Sequence, residues 1–240
     1  MGIHHTPSQA KAPWGNSPPD GFKRVYYLTP AQFAISNVAL QRIKVARFSD
    51  LNDPFELLGV DRSNVENRHA LRKKTGKIND ETGLLCFSKS WGNPVLWGHY
   101  AERHAGICMG FDVAEDHLHE VIYEESLGQV KADAKTGELV LTTKEIDRLM
   151  STKFKDWKYE QEMRFFVKLS RLQDEAGKFF YPFSKKLILR ELILGPRCEM
   201  EIAAIRRLVD KSVTVQKARL AFRRFAVVVD KKTSRIVDFS

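Results

Sequence analysis

Two glutamates and an arginine occupy alternate positions in the segment Glu160-Gln161-Glu162-Met163-Arg164. If residues 157–167 form a strand, Glu160, Glu162 and Arg164 lie on one face and the apolar side chains on the other. Two carboxylates about 7 Å apart on a strand repel each other unless a cation or a ligand lies between them. The pattern therefore has two interpretations. One is an ion-pair network completed by Arg164 or by a lysine across the sheet. The other is a paired-carboxylate site that stabilises positive charge on a sugar and acts on an acceptor.

The size and composition are those of a soluble globular protein. The chain has 240 residues, 43% of them hydrophobic, and shows no internal linker, so we expect one domain. Cys86, Cys108 and Cys198 lie far apart, which indicates free thiols in a reducing compartment and no zinc site. No apolar export signal or membrane span is apparent, so a cytoplasmic location is expected.

Positive charge is concentrated near the C-terminus. Residues 204–235 contain ten Lys and Arg against two Asp, which places +8 of the formal net charge of +9 in this segment. Such a segment attracts phosphate-rich partners, although a solubilising basic face would look the same. The candidate nucleic-acid-binding residues are Arg206, Arg207, Lys217, Arg219, Arg223 and Arg224.

The order of the predicted elements indicates an α+β fold. Residues 1–21 are rich in Pro, Gly, Ser and Asn and are expected to form a flexible lead before a single domain at 22–240. Strands are predicted at 23–28, 43–48, 83–88, 107–111, 121–123, 157–167, 191–194, 213–219 and 225–229, and helices at 30–40, 62–74, 95–104, 144–154 and 200–209. Irregularly placed helices and a closing hairpin predict a mixed, mostly antiparallel sheet.

The segment Asn52-Asp53-Pro54-Phe55-Glu56 has the pattern of a helix start. Asp53 can cap, Pro54 suits the first helical position, and Glu56 falls where a capping box requires an acid. We therefore interpret these residues as structural. The sequence contains no Gly-rich phosphate loop, HExxH or GxSxG motif, which excludes the enzyme classes that depend on them.

Several ordered motifs resemble a bacterial family of unknown function. Its pattern reads LYKY…NDPFE…CFS…LWSHYA…GFD…WxYExExR…ILGP, and the chain follows it in order over residues 24–229. The motifs are Tyr26-Tyr27, Asn52 to Glu56, Cys86-Phe87-Ser88, Leu96 to Ala101, Gly110-Phe111-Asp112, Lys155 to Arg164 and Ile193 to Pro196. The resemblance implies a toxin or phage-defence context, with an antitoxin or another defence protein as a partner.

A more distant resemblance is to the mono-ADP-ribosyltransferases, including the DarT-like toxins, and it implies a split sheet and NAD as the substrate. By this resemblance Glu162 holds the nicotinamide ribose and stabilises the oxocarbenium ion, and Glu160 orients or deprotonates the acceptor. Ser88 takes the hydroxyl position of the second strand, and Tyr27 or Tyr26 takes the first-strand position. His99, a candidate for a polar role on its helix, is added to the candidate cofactor-binding residues. The chain departs from the transferases in lacking Arg or His at the first-strand position, where only the neighbouring Arg24 could serve.

Two other functions fit the same residues. A non-catalytic nucleic-acid-binding or sensor module would use Glu160, Glu162 and Arg164 structurally and the basic C-terminal segment for binding. A Mg²⁺-dependent nuclease would use Asp53, Glu56, Glu160 and Glu162 as oxygen ligands. The transferase hypothesis predicts that Glu162, Ser88 and Tyr26 or Tyr27 come together.

Overall fold

The computed structural model describes residues 17–129, 133, 135–136 and 141–234, so most of the predicted N-terminal lead, residues 1–16, lies outside the described part. The strands are β1 Phe22–Thr29, β2 Arg42–Arg47, β3 Thr82–Ser88, β4 Ile107–Ala114, β5 Leu118–Glu120, β6 Ile122–Glu124, β7 Thr152–Phe154, β8 Glu162–Lys168, β9 Phe179–Pro182, β10 Leu187–Leu194, β11 Thr214–Leu220 and β12 Val227–Val229. The helices are α1 Ala31–Ala39, α2 Val65–Glu81, α3 Pro94–Tyr100, α4 Thr143–Met150, α5 Ile202–Arg206 and α6 Lys231–Ser234.

One large sheet organises the described residues. Its strand order is β12-β11-β10-β4-β1-β3-β2-β9, with β8 paired to β3 and β5 paired to β8. All of these pairs are antiparallel except β10–β11. The α+β class with a mixed, mostly antiparallel sheet is therefore confirmed, and so is the closing antiparallel pair β11–β12.

The strand β3 is the branch point of the sheet. Along one edge it pairs with β8 over its whole length, from Thr82 to Ser88. Its other edge is divided: Leu84 pairs with β2, whereas Ser88 pairs with β1. Gly83 allows the branch, because a Cβ there would lie 2.3 Å from a methyl of Val45.

Helices cover both faces of the sheet. On one face α1 and α5 pack with alternate apolar residues of the strands, such as Val25, Phe111 and Leu192, into the main core. On the other face α3 packs over β1, β4 and β10. Beside it, α2 and α4 pack over β2, β3 and β8. The residues between these two smaller clusters are polar, and they form the candidate site.

Several predicted boundaries are wrong. The helix predicted at 62–74 is α2, which begins after the cap Asn64 and continues to Glu81. The segment 52–56 is a turn rather than a helix start. The predicted strand 157–167 is a 3-10 turn over Lys155–Glu160, then Gln161 in the left-handed conformation with φ 47°, and only then β8.

None of the helices in the described ranges has the length and apolar character needed to cross a bilayer.

Candidate functional site

Three neighbouring strands bring three predicted residues to one level of the sheet. The Cα of Ser88 on β3 pairs with that of Tyr26 on β1 and with that of Glu162 on β8. Residues directly opposite in antiparallel strands share a face, so the three side chains project from the same side. Tyr27 projects from the other side and packs edge-on against Phe87, at 6.3 Å between ring centres.

Glu162 belongs to a buried cluster of five charged side chains, which we call the charged cluster: Glu56, Lys153, Glu160, Glu162 and Arg164. Each is at most 8% exposed. Three carboxylates face two cations, so the charged cluster carries a net −1 when all five groups are ionised. Burying unbalanced charge is unfavourable unless the geometry compensates for it.

Arg164 is the centre of the charged cluster, and all five of its N–H donors are used. Its Nη1 and Nη2 donate to the two carboxylate oxygens of Glu56, at 2.9 and 2.6 Å. Its Nε and Nη2 donate to Glu162, at 2.9 and 3.2 Å. The fifth bond runs from Nη1 to the Met150 carbonyl, at 2.7 Å. A fully paired, fully buried guanidinium fixes both glutamates in place.

Lys153 bridges the two predicted catalytic carboxylates. Its Nζ lies 2.6 Å from Glu160 and 3.2 Å from Glu162. Burial would raise the pKa of Glu162, but the charges of Arg164 and Lys153 outweigh burial and hold that pKa below its usual value. Glu162 is therefore an anion stabilised by its surroundings, and the Cys86 thiol adds a hydrogen bond to it.

Glu56 differs electrostatically from Glu162. Burial raises the pKa of Glu56 in spite of the opposing effect of Arg164, because Glu162 lies close to it and Lys153 is more distant, at 3.9 Å. A proton taken up by the charged cluster would therefore settle more readily on Glu56 than on Glu162.

Most of the charged cluster lies in a segment that matches a family model. Residues 96–165 match a protein of unknown function, DUF2971. The match runs from α3 into β8 and contains every member of the charged cluster except Glu56. It supports the predicted likeness to an uncharacterised family. No curated protein and no solved structure matches the chain.

Within the DUF2971 segment, Glu160 connects the charged cluster to the surface. The Tyr100 hydroxyl donates to Glu160, and the exposed Asn52 donates to that hydroxyl oxygen at 2.9 Å. Burial, followed by the charge of Glu160, raises the pKa of Tyr100, so the hydroxyl stays protonated. The left-handed Gln161 explains this geometry, because it ends the 3-10 turn and lets Glu160 and Glu162 approach Lys153 from different directions.

Aromatic rings from two elements of the DUF2971 segment border Glu160. His99 on α3 is exposed and stacks on Tyr159, at 6.1 Å between ring centres and 27° between planes. Trp157 lies 6.0 Å from Tyr159, and Lys153 Nζ lies 4.8 Å from the centre of the Trp157 ring. These rings form a partly exposed wall on which a planar ligand could stack.

The segment 52–56 contributes to the site rather than capping a helix. Glu56 reaches Arg164, and Asp53 accepts the Phe55 N–H at 2.9 Å through one oxygen. The other oxygen of Asp53 is buried and has no hydrogen-bond partner within the described part of the chain. A cavity of about 430 Å³ lies between this segment and α2, lined by Phe48, Ser49, Leu51, Asp53, Pro54, Glu56, Leu57, Leu58, Arg72, Thr75, Gly76 and Asn79.

A second ion-pair group lies on the same face as Tyr26. Arg24 donates to Asp112 on β4, at 2.6 Å, and to Glu191 on β10. Arg190 donates to the other oxygen of Asp112, at 2.9 Å. The structure therefore directs Arg24 along the sheet to its neighbours, and Gly110 provides space for Tyr26 beside Glu191.

The carboxylates proposed for a metal site do not form one. Glu56, Glu160 and Glu162 meet, but their oxygens face Lys153 and Arg164, and a metal ion would have to displace these cations. Across the described ranges, no group of three or more His, Cys, Asp and Glu residues is arranged to hold a metal ion.

The six predicted basic residues fall into two groups. Arg206 turns inward and donates to the carbonyls of Val213, Val209 and Asp210, and Lys217 donates to that of Cys198. Arg207, Arg223 and Arg224 are exposed. Arg219 packs over Phe222, with its guanidinium carbon 4.3 Å from the ring centre.

Lys153, Tyr100 and Asn52 were not found by sequence reasoning. Tyr100 is part of the motif Leu96 to Ala101 but has no role assigned from the sequence, and Lys153 falls inside a predicted helix, 144–154, that in fact ends at Met150. Lys153 belongs to none of the quoted motifs, and the motif that contains Tyr100 does not indicate its partner, because the partners of both residues depend on the turn at Gln161.

Proposed function

We propose that this chain is an ADP-ribosyltransferase-like enzyme that uses NAD as its substrate. The observation that carries the proposal is the register of Tyr26, Ser88 and Glu162 on three adjacent strands. This is the juxtaposition that the resemblance to mono-ADP-ribosyltransferases requires. The branching of the sheet at β3 is further support, since a split sheet is expected from the same resemblance.

The electrostatics of the charged cluster suit this chemistry. When nicotinamide leaves NAD, positive charge develops on the ribose, and fixed negative charge nearby lowers the barrier. The charged cluster has one carboxylate in excess, and the pKa of Glu162 is held low, so Glu162 is ionised at neutral pH. Glu160 is the carboxylate that Tyr100 and Asn52 connect to the surface, and it would accept the proton of the acceptor nucleophile.

Lys153 controls access to both carboxylates. It lies between Glu160 and Glu162, where a substrate cation would otherwise be stabilised. In the reaction we propose, Lys153 leaves Glu160 and Glu162 when NAD binds. It keeps its contact with Trp157, whose ring centre lies 4.8 Å from Lys153 Nζ. His99 and Tyr159 would stack on a ring of NAD, as the sequence hypothesis requires of His99.

The acceptor in this proposal is nucleic acid, with protein as the alternative. The exposed arginines near the C-terminus favour a phosphate-bearing partner. The toxin or defence context implied by the sequence resemblance adds an antitoxin or another defence protein as a regulatory partner.

A second candidate function is a non-catalytic nucleic-acid-binding or sensor module. The observation in its favour is the saturation of the charged cluster, in which both oxygens of Glu56, Glu160 and Glu162 already have partners. In that case the charged cluster serves only to join the segment 52–56 to β8.

NAD turnover separates the two candidates. Release of nicotinamide and transfer of labelled ADP-ribose are measured with single-stranded DNA, RNA and protein acceptors. Tyr26→Phe removes the hydroxyl of the first-strand residue and keeps its ring, and it is expected to lower turnover at least tenfold with little change in melting temperature. Tyr181→Phe, a half-buried tyrosine on β9, is the matched control and should keep full turnover. A wild type that consumes no NAD with any acceptor would overturn the enzyme and leave the binding module.

A further inference from the structure

The turn that joins β11 to β12 presents two phenyl rings to solvent. We call residues 220–226 the tip. Phe225 is 100% exposed and Phe222 is 88% exposed. Leu220 is also exposed. Adjacent exposed aromatic side chains of this size mark interaction sites, since they add no stability to the isolated fold.

The tip is a defined structure rather than a loose connection. Ala221 N–H donates to the Ala226 carbonyl at 2.9 Å, and Ala226 N–H donates to the Arg224 carbonyl at 3.0 Å. Leu220 and Val227 pair across the hairpin. These bonds order the backbone of the tip while both rings face solvent, and an ordered backbone reduces the entropy lost when a partner binds.

The charged side chains within the tip are all positive. Arg219 packs on Phe222, Arg223 and Arg224 lie between the rings in sequence, and residues 217–226 contain no Asp or Glu. Guanidinium groups beside exposed aromatic faces are the combination with which proteins bind single-stranded nucleic acid, because phosphates meet the cations while unpaired bases stack on the rings. A duplex offers the same phosphates but no free base faces.

The root of the tip is attached to the candidate site. Val227 N–H donates to the Gly92 carbonyl at 2.8 Å, and Gly92 is in the loop that begins at Ser88. The buried Val227 side chain packs in the same apolar cluster as Tyr26 and Trp97. In the same loop region Asn93 donates to the Tyr159 carbonyl at 3.2 Å. The tip is thus joined through Val227 and Gly92 to the loop that connects Ser88 with α3.

We propose that the tip binds single-stranded nucleic acid, with Phe222 and Phe225 stacking on bases and Arg219, Arg223 and Arg224 contacting phosphates. The proposal rests on the nucleic-acid partner of the proposed function and assigns that partner to one element of the chain. It does not depend on whether the chain turns over NAD.

The test measures binding to a labelled 20-nucleotide oligothymidine and to a duplex of the same length by fluorescence anisotropy, without NAD. Wild type is expected to prefer the single strand. Phe222→Ala with Phe225→Ala should weaken that binding about tenfold or more, with little change in the salt dependence, because stacking is lost and charge is retained. Phe33→Ala, at an exposed phenylalanine on α1, is the control and should bind as wild type does.

The arginines are tested by the salt dependence. Arg223→Ala with Arg224→Ala should reduce the slope of log affinity against log salt by about 1.4, since each phosphate contact to a single strand contributes about 0.7. Lys178→Ala with Lys185→Ala removes two exposed charges near β9, at the other end of the sheet, and should leave the slope unchanged.

Three results would overturn the proposal: no single-strand binding by wild type, equal binding by the double phenylalanine variant, or a preference for the duplex. Binding to vesicles with anionic lipids, lost in the phenylalanine variant while oligothymidine is not bound, would assign the tip to a membrane surface instead. Tip-dependent binding without NAD turnover supports the tip and overturns the enzyme. NAD turnover without tip-dependent binding supports the enzyme and overturns the proposal for the tip.

Discussion

Arg164 and Glu56 are 108 residues apart in the sequence and meet through two hydrogen bonds of 2.6 and 2.9 Å. The contact joins the turn at 52–56 to the middle of β8, where the guanidinium is 0% exposed. A bidentate pair of this kind is geometrically specific, and its stability depends on both partners being present. It explains why an acid follows Asn52-Asp53-Pro54-Phe55 even though no helix begins there.

Loss of the arginine should be more harmful than loss of its partner. Arg164→Met leaves three buried carboxylates with Lys153 alone, and we expect it to lower the free energy of unfolding by about 3–5 kcal/mol or more. Glu56→Leu leaves two carboxylates with two cations, and its cost should be smaller. Urea unfolding of both variants measures the difference. Equal costs would mean that the excess negative charge of the charged cluster does not affect stability.

The unpaired oxygen of Asp53 predicts a stabilising substitution. Asp53→Asn keeps an oxygen for the Phe55 N–H and replaces a buried, unpaired charged oxygen by a neutral amide. Because burying a charge costs more than burying a neutral amide, the variant should unfold at a higher temperature than wild type. Asp174→Asn is the control, since Asp174 also accepts one backbone N–H but is exposed. A lower melting temperature for Asp53→Asn would show that the oxygen has a partner in solution.

Two glycines should respond to alanine in opposite ways. At Gly110 a new Cβ would lie 3.0 Å from Glu191 Cβ and 3.3 Å from a ring carbon of Tyr26, so overpacking should cost about 1–3 kcal/mol. At Gly98, in α3, nothing lies within 4 Å, and alanine should stabilise by about 0.5–1 kcal/mol. Thermal melting of the two variants checks both signs. If Gly110→Ala is neutral, Tyr26 is not confined beside Glu191.

The sheet could be predicted from the sequence because its signals are local. The strands near Tyr26, Ser88 and Cys108 have apolar or alternating patterns bounded by turn residues, and each lies within a few residues of its predicted position. Pairing between strands was not predictable residue by residue. The meeting of Ser88 with Glu162 was expected only through the family resemblance.

The charged cluster could be predicted only in part, because its contacts are not local. Glu160, Glu162 and Arg164 were recognised as a group, but the left-handed φ of Gln161 has no sequence signal and breaks the strand that was predicted through it. Glu56 fits the capping-box pattern, but in the folded chain its carboxylate binds the buried Arg164, which lies far away in the sequence. Lys153 carries no pattern at all, and only the folded chain shows that it joins the two carboxylates.

The last prediction concerns the dependence of stability on Glu162 and on pH. Its surroundings favour the anion, so Glu162→Gln should lower the free energy of unfolding by about 1.5–3 kcal/mol at neutral pH, the usual contribution of hydrogen bonds to a charged group. Glu56→Gln should cost less, because burial raises the pKa of Glu56 and its surroundings favour the anion less.

The pH dependence has a definite sign. The folded-state pKa of Glu162 lies below the ordinary value of 4.5, so its contribution is complete above that value and is lost as the pH falls through the folded pKa. The difference in stability between wild type and Glu162→Gln should therefore shrink as the pH falls below 4.5. Urea unfolding at several pH values between about 3 and 7 measures this difference, and Glu125→Gln, at an exposed ion pair with Lys155, is the control that should show no such trend. A difference that grows on acidification would mean that Glu162 is protonated in the folded protein, and Glu162 could then not supply the negative charge that ADP-ribosyl transfer requires.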